Sequence, residues 1–260
     1  MNKKIKNILK KKNKSKIVSL TAYSKNVAQI LDKYCDIVLV GDSMANVLYG
    51  LKNTHEIDLK NIIQHTLSVK RGIKKSLLVV DMPKGTYSNI KNAKKNAKLI
   101  IKLTKCDAVK IESNNKNFNI INELVKSRIP VMGHIGFTPQ FKSKFKIEGN
   151  TKKKAARLLN EARHIERAGA FSIVLECVTP QTSKLITKSI KIPTIGIGSS
   201  SYCDGQILVT DDMLGISGFY PKFVKKYAAL NIVIEKAVKK FTKDVKQIKF
   251  PQKKNFLNGE

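Results

Sequence analysis

The stretch Val38-Leu39-Val40-Gly41-Asp42-Ser43 is a short apolar run that ends on a carboxylic acid. A run of this length, rich in β-branched residues, is typical of a strand that is buried on both faces of a parallel sheet. Three further runs end on an acid, and a fifth ends on a histidine. The carboxyl ends of parallel strands meet at one edge, so the series predicts a sheet with polar chemistry along that edge. The residues that end these five runs are Asp42, Asp81, Glu112, His134 and Glu176.

Runs of this kind alternate along the chain with segments whose apolar residues recur at helical spacing. The chain has 260 residues, close to the ~250 that a barrel of eight strand–helix units takes. We therefore predict an α/β protein that folds as a single-domain (β/α)8 TIM barrel. The strands are predicted at 17–22, 37–41, 77–80, 108–111, 131–134, 171–176, 194–198 and 207–210.

Three segments are predicted around this plan. Residues 1–16 are basic, and their isoleucines and leucine lie at helical spacing, which predicts a helix that closes the bottom of the barrel. Residues 17–220 form the barrel core, and residues 221–260 form a helical tail. An open doubly wound sheet is disfavoured, because Gly196-Ile197-Gly198 lacks the third glycine of a dinucleotide-binding loop.

The formal net charge is +31, with 50 Lys and Arg against 19 Asp and Glu. Such a charge is compatible with a protein that binds nucleic acid. The lysines, however, are spread over almost every predicted helix, and the chain has no Trp and only 7% aromatic residues, which disfavours a surface for base stacking. We therefore expect solvated helix faces and no nucleic-acid partner. The positive field is available to attract an anionic substrate.

The sequence also bears on the compartment. No apolar run approaches the roughly 18 residues of a membrane-spanning helix, and the N-terminus lacks the apolar stretch of a secretory signal. The four cysteines lie far apart and form no C-x-x-C pair, which is typical of reduced thiols rather than of a zinc site or a disulfide framework. We therefore expect a cytoplasmic protein with no membrane partner.

Three of the strand-end acids suggest a metal site. Asp42, Asp81 and Glu112 follow strands two, three and four, which are neighbours in a barrel. Oxygen ligands from adjacent strands suit Mg²⁺, which binds through one or two carboxylates and keeps waters and substrate oxygens. Lys110 lies two residues before Glu112 and therefore points to the same side of its strand, where it can bind an anionic group. A single acid after a strand is, by contrast, most often a helix cap or part of a loop ion pair.

The sixth strand carries the candidate base. Glu176 lies across the predicted barrel from the three acids, which suits a general base rather than a metal ligand. A 2-oxo acid bound to Mg²⁺ has an acidified C–H beside its carbonyl, and a carboxylate opposite can remove that proton while the ion stabilises the enolate. His134 has two open interpretations, a pocket residue or a buried, hydrogen-bonded structural histidine.

A series of short motifs between about residues 15 and 245 resembles a known family. The combination of the His-x-Gly-x-Thr-Pro-Gln, Val-Gly-Asp-Ser and Asp-Gly-Gln-Ile-Leu-Val stretches is specific, and the chain is similar to ketopantoate hydroxymethyltransferases (3-methyl-2-oxobutanoate hydroxymethyltransferases). The motifs are Thr21-Ala22-Tyr23, Val40-Gly41-Asp42-Ser43, Asp81-Met82-Pro83, Val109-Lys110-Ile111-Glu112, His134-Ile135-Gly136-Phe137-Thr138-Pro139-Gln140, Leu175-Glu176-Cys177-Val178 and Asp204-Gly205-Gln206-Ile207-Leu208-Val209.

The resemblance implies a (β/α)8 barrel that assembles as a homo-oligomer, commonly a decamer. It implies Mg²⁺-dependent transfer of a hydroxymethyl group from 5,10-methylenetetrahydrofolate to 3-methyl-2-oxobutanoate, which gives 2-dehydropantoate on the path to pantothenate. The family pattern assigns metal binding to Asp42, Asp81 and Glu112, the last of them directly or through a water. It assigns substrate binding to Ser43, Asp81 and Lys110, the role of proton acceptor to Glu176, and a place in the pocket, without a fixed role, to His134. We add Asp42 and His134 as further candidate substrate-binding residues.

The chain departs from the family pattern at three places. Ser24 and Ala45 stand where the family usually has Asp and Gly, and the segment 141–149 stands where the family has a Gly-rich segment. The departures bear on lid dynamics and folate affinity rather than on the type of reaction. The alternative is another Mg²⁺-dependent enolate-forming barrel, such as the phosphoenolpyruvate mutase and isocitrate lyase group, although their Lys-Lys-Cys-Gly-His segment does not occur here.

Overall fold

The fold is known from a computed structural model that describes residues 2–113, 117–142, 144–218 and 220–257. The chain forms two compact units, one up to Thr210 and one from Asp211 onward. In the first unit, eight parallel strands pair in chain order and close into a barrel, which confirms the predicted (β/α)8 fold. The strands are β1 (Ile17–Thr21), β2 (Ile37–Val40), β3 (Leu77–Asp81), β4 (Ala108–Glu112), β5 (Val131–Gly136), β6 (Ser172–Glu176), β7 (Thr194–Ile197) and β8 (Gly205–Leu208).

Helices follow the strands, and polar side chains cap several of them. The carboxylate of Asp58 accepts from the backbone of Asn61 and begins α4, and the side chain of Thr151 begins α7 in the same way. The helices are α1 (Lys3–Lys10), α2 (Lys25–Leu31), α3 (Met44–Val47), α4 (Leu59–Lys70), α5 (Ile90–Thr104), α6 (Phe118–Lys126), α7 (Lys152–Arg167), α8 (Pro180–Ser189), α9 (Thr210–Leu214) and α10 (Leu230–Lys246), with short 3₁₀ turns at Thr54–Glu56 and Lys253–Asn255.

The barrel has an inner and an outer core. Side chains that point inward, such as Ile37 and Met132, fill the interior, and Ile5 and Ile8 of α1 are buried in the same cluster. The outer core lies between the strands and the surrounding helices, where Val38 and Val109 pack against residues such as Ile62 and Ile121. With its interior filled, the barrel leaves the ends of its strands as the place for polar chemistry.

The helix after β1 differs from the sequence prediction. The apolar spacing after the first strand predicts a helix with Val27, Ile30, Leu31 and Tyr34 on its inner face, but the side chains of Ile30 and Tyr34 are 60% and 76% exposed. The helix ends at Leu31, so Tyr34 lies beyond it, and the buried face is formed by Ala28 and Leu31. Serine is a common residue at helix N-caps, which predicts that Ser24 caps this helix, but its side chain makes no capping hydrogen bond.

The second unit contains α10, and none of this helix's described residues is buried. Its exposed apolar side chains are Ile232, Val233, Ile234, Val238, Phe241 and Val245. Among the described residues, no helix combines the length and the apolarity needed to cross a bilayer.

Candidate active site

The polar residues that end the strands lie at one end of the barrel. Asp42 lies two residues after the end of β2, Asp81, Glu112 and Glu176 are the last residues of their strands, and His134 lies inside β5. The side chain of Glu176 is 17% exposed, whereas the other four residues are buried almost completely. The parallel register places Asp81 beside Lys110 and Glu112 beside His134 on neighbouring strands. The fold therefore gathers acids that lie far apart in the sequence.

Asp42, Asp81 and Lys110 form one connected group. The backbone N–H of Asp42 donates to Oδ2 of Asp81 over 3.0 Å, and Nζ of Lys110 donates to Oδ1 over 2.6 Å. Burial lowers the pKa of Lys110, but the carboxylates of Asp81 and Asp42 outweigh burial and raise it above its ordinary value. Lys110 is therefore a permanent cation at the floor of this site, as binding of an anionic substrate requires.

Ser43 lies next to this group. Its hydroxyl is within 2.8 Å of the hydroxyl of Tyr23, which ends the first motif of the sequence. A Cβ on Gly41 would lie 2.9 Å from Oγ of Ser43 and 3.4 Å from Oδ2 of Asp81. A larger residue at position 41 would therefore displace the hydroxyl of Ser43 and would lie in van der Waals contact with the carboxylate of Asp81.

Glu112, His134 and Glu176 form a second group. Nε2 of His134 lies 3.1 Å from Oε2 of Glu176, and Nδ1 lies 3.6 Å from Oε1 of Glu112. Neither nitrogen is aligned for a hydrogen bond. These distances are short enough for ion pairs, but an ion pair also requires a positively charged imidazole, and the pKa of His134 is too low for that.

Burial, and then the charge of Lys110, lowers the pKa of His134 well below its usual range, so the imidazole is neutral. Burial raises the pKa of Glu176 to about 8, against the opposing charge of Lys110. Burial and the charge of Asp42 raise the pKa of Glu112 well above its usual value. His134 is therefore a neutral neighbour of two carboxyl groups rather than a cation.

One central residue had no predicted role. Gln140, in the loop after β5, donates through Nε2 to Oδ2 of Asp42 over 2.8 Å and to the carbonyl of Met82 over 3.0 Å. Its backbone N–H donates to Oε2 of Glu112 over 3.0 Å, and Tyr87 donates to its Oε1. The Thr-Pro-Gln motif could have pointed to Gln140, but nothing in the sequence indicates that its amide reaches the strand-end acids.

The loop that follows is held at its far end. Nζ of Lys142 donates to the carbonyl of Gly136 and to Oε1 of Glu148, both over 2.6 Å, and Arg157 donates to the other carboxylate oxygen. The backbone N–H of Glu148 donates to the carbonyl of Cys177, directly after the candidate base. The segment singled out as a departure from the family pattern is therefore tied to the end of β6, although its residue 143 lies outside the described part of the chain.

The chemistry of the acids fits a hard cation. Burial, and then the charge of Asp81, raises the pKa of Asp42 to about 7, and a cation between these carboxylates would offset both effects. Oε1 of Glu112 is buried without a hydrogen-bond partner. Within the described residues, no three side chains of His, Cys, Asp or Glu already converge as a complete ligand set. The arrangement therefore fits an ion such as Mg²⁺, which takes few protein ligands and keeps waters, better than it fits zinc.

Comparison with known proteins decides the family. The family model for ketopantoate hydroxymethyltransferase matches residues 2–253. The chain belongs to the ketopantoate hydroxymethyltransferase family. A 3-methyl-2-oxobutanoate hydroxymethyltransferase of Pelagibacter ubique is 53% identical over 98% of this chain and 99% of its own length. The enzyme of the same name from Clostridioides difficile is 45% identical over 92% of this chain and 90% of its own.

Two solved structures with the same fold are more distant in sequence than these ketopantoate hydroxymethyltransferases. A 2,3-dimethylmalate lyase of the phosphoenolpyruvate mutase and isocitrate lyase superfamily has a TM-score of 0.61 and 14% identity, over 99% of this chain and 93% of its own. A phosphonopyruvate hydrolase in complex with oxalate and Mg²⁺ has a TM-score of 0.60 and 12% identity, over 96% and 92% of the two chains. At such identities the likeness shows the barrel fold alone.

Proposed function

We propose that this protein transfers a hydroxymethyl group from 5,10-methylenetetrahydrofolate to 3-methyl-2-oxobutanoate in the cytoplasm, acting as a homo-oligomer, a decamer. The product is 2-dehydropantoate, the precursor of pantoate in pantothenate biosynthesis. The observation that carries the proposal is the convergence of Asp42, Asp81, Lys110 and Glu176 at one end of the barrel. It is the arrangement that removal of a proton beside a bound 2-oxo acid requires.

Binding of the acceptor is assigned to the group around Lys110. The ammonium of Lys110 is buried and charged, so it attracts the carboxylate of the 2-oxo acid. Ser43, Asp42 and Asp81 surround the remaining polar atoms of the substrate, and the neutral imidazole of His134 lies between this group and Glu176. Together these contacts hold the C–H beside the carbonyl towards β6.

Glu176 is the proton acceptor. Its raised pKa makes the ionised form of Glu176 a stronger base than an ordinary carboxylate, and its partial exposure leaves the carboxyl group open to the barrel mouth. It takes the proton from C3 of the acceptor, and the electron pair left on that carbon forms the new bond to the methylene carbon of the donor. Overall, the methylene group and one water supply the hydroxymethyl group, and the donor leaves as tetrahydrofolate.

Asp42 and Asp81 would hold the magnesium ion, and Glu112 would contact it directly or through a water. When bound, the ion supplies positive charge at the 2-oxo group, which makes the neighbouring C–H more acidic. In the absence of the ion, burial first, and then the charge of neighbouring carboxylates, raises the pKa values of Asp42 and Glu112.

The test is an assay with purified protein, 3-methyl-2-oxobutanoate and 5,10-methylenetetrahydrofolate, with and without Mg²⁺. We expect 2-dehydropantoate only when acceptor, donor and metal are all present. A lyase or mutase of the same fold would instead convert a 2-oxo or 2-hydroxy acid without the folate. Turnover that is indifferent to the folate donor would reject the proposal in favour of that alternative.

A further inference from the structure

Gln140 is the most highly connected polar side chain among the described residues of the site. Only 1% of its surface is exposed. Its amide contacts Asp42, Met82 and Tyr87, and its backbone contacts Glu112, so one residue joins the ends of β2, β3 and β4. A buried side chain with a full set of hydrogen bonds is held in one conformation.

The orientation of this amide is set by its partners. Nε2 faces two acceptors, the carboxylate of Asp42 and the carbonyl of Met82, whereas Oε1 faces the hydroxyl of Tyr87. If the amide were reversed, its oxygen would lie against two other acceptors and its NH₂ group would face the tyrosine hydroxyl. Asp42 and the carbonyl of Met82, which can only accept, therefore select the orientation in which the donor points at Asp42, and the hydroxyl of Tyr87 holds the amide oxygen on the other side.

Gln140 uses one oxygen of each of two carboxylates. The side chain engages Oδ2 of Asp42, and the backbone engages Oε2 of Glu112. The second oxygen of each carboxylate is not used by Gln140, and Oε1 of Glu112 is buried without any partner. The glutamine thus fixes the rotation of both carboxyl groups and determines which oxygen of each can face a cation.

We infer that Gln140, held in place by Met82 and Tyr87, is a positioning residue that presents the carboxylates of Asp42 and Glu112 to the divalent metal. The inference rests on the metal site of the proposed function and adds a residue outside its ligand set. Hydrogen-bond partners of metal ligands commonly change metal affinity by ~10–100-fold when they are removed.

The experiment measures binding of Mn²⁺ alone, as a spectroscopic substitute for Mg²⁺, by electron paramagnetic resonance of the free ion. Gln140→Met keeps the length of the side chain and removes the amide bonds to Asp42, Met82 and Tyr87, while the backbone N–H remains available to Glu112. Tyr87→Phe removes only the hydroxyl that holds the amide oxygen. The control is Thr66→Val, which removes an equally buried hydroxyl whose bond to the carbonyl of Ile62 lies within α4. Thermal unfolding of each variant is recorded alongside.

We expect Gln140→Met to weaken Mn²⁺ binding ~10–100-fold, Tyr87→Phe to weaken it less, and Thr66→Val to leave it unchanged although its melting temperature falls. Wild-type affinity in a folded Gln140→Met variant would overturn the inference, as would an equal loss in Thr66→Val. If Gln140→Met does not fold, unchanged affinity in Tyr87→Phe overturns it. A wild-type protein that binds no Mn²⁺ would overturn the proposed metal site as well, so the two failures are distinguishable.

Discussion

Nε2 of His134, inside β5, lies 3.1 Å from Oε2 of Glu176, the last residue of the neighbouring strand β6. The imidazole is neutral because it is buried and faces the charge of Lys110, and the pKa of the carboxyl group is raised by burial. Because the imidazole is neutral and makes no hydrogen bond to Glu176, the carboxyl group is free to exchange a proton with a substrate. The pair therefore fits a general base, Glu176, beside a neutral imidazole better than it fits an ion pair that stabilises the fold.

Replacing the base tests this interpretation. Glu176→Gln keeps the size of the side chain but cannot accept a proton, so exchange of the C3 hydrogen of 3-methyl-2-oxobutanoate with deuterium should fall by ~10²–10⁴-fold. Binding of Mg²⁺ and of the acid should persist, because Lys110 and Asp81 are untouched. Exchange is followed by proton NMR.

The matched control is Glu123→Gln, on α6, where the acid pairs with Lys94 and Lys126. This variant should exchange at the wild-type rate. Unchanged exchange in Glu176→Gln would remove Glu176 from the role of proton acceptor.

Asp81→Ala should disrupt metal-dependent binding of the acceptor. The change removes a proposed ligand, the acceptor of the Asp42 N–H and the partner of Lys110, which is then left buried without its closest counter-charge. The loss of apparent Mg²⁺ affinity should be at least the ~10–100-fold typical of residues that support metal ligands. Calorimetric titration of Mg²⁺ in the presence of the acid measures it.

Asp107→Ala serves as its control, because Asp107 pairs with Lys4 and accepts from the N–H of Leu78 at the other end of the barrel. That variant should be less stable but should bind Mg²⁺ as the wild type does. A wild-type titration curve for Asp81→Ala would contradict the proposed metal site.

Gly136→Ala should damage both stability and catalysis. Gly136 has a φ of +97°, and a Cβ there would lie 2.1 Å from the carbonyl oxygen of Glu176. Gly50 also has a positive φ, +66°, but nothing lies within 4 Å of its Cβ position. Gly50→Ala therefore measures the cost of the positive φ alone, without a steric clash.

We expect Gly50→Ala to cost about 1 kcal/mol and to leave C3 exchange unchanged. Gly136→Ala should cost more and should slow exchange, because β6 must shift away together with Glu176. Thermal unfolding and the exchange assay measure the two effects. Equal behaviour of the two variants would show that the close approach to Glu176 is unimportant.

Asp32 provides a prediction about stability and pH. Its carboxylate accepts from the backbone N–H groups of Lys74, Lys75 and Ser76. Burial alone would raise its pKa, but these hydrogen bonds together lower it below the usual value. A pKa that is depressed in the folded state gives stability that is present above the unfolded value of about 3.9 and is lost as the pH falls through the folded value.

Asp32→Asn should therefore lower the free energy of unfolding by ~1.5–3 kcal/mol at neutral pH. The gap between wild type and variant should close as the pH falls below about 4. Urea denaturation at a series of pH values measures it. A gap that stays constant on acidification would mean that the charge of Asp32 contributes nothing.

Much of the barrel was predictable, because buried parallel strands are short apolar runs, and here several of them end on an acidic residue. β2, β3 and β4 were predicted to within one residue of their observed ends, and the acids after them follow from the same pattern. β8 was predicted two residues late, at 207–210 instead of Gly205–Leu208. Its polar start offers no apolar run, and the strand forms there because its backbone pairs with β1.

The candidate site was predictable only in part. The side of each strand on which Lys110 and Glu112 lie follows from a two-residue spacing, which is a local property. The network of Gln140 and Tyr87 does not, because the residues that it joins are separated by up to 98 positions in the chain. Likewise, the misplaced face of α2 shows that apolar spacing alone does not tell where a short helix ends.

The amino-acid sequence by itself determined the closed barrel, the family and the set of acids at the strand ends, since these follow from local patterns of apolar residues and motifs. Only the tertiary structure decided which atoms meet: Lys110 with Asp81, Gln140 with Asp42 and Glu112, and His134 between two carboxyl groups. Hydrogen bonds and pKa values depend on distances and burial across neighbouring strands, and these exist only once the barrel has closed.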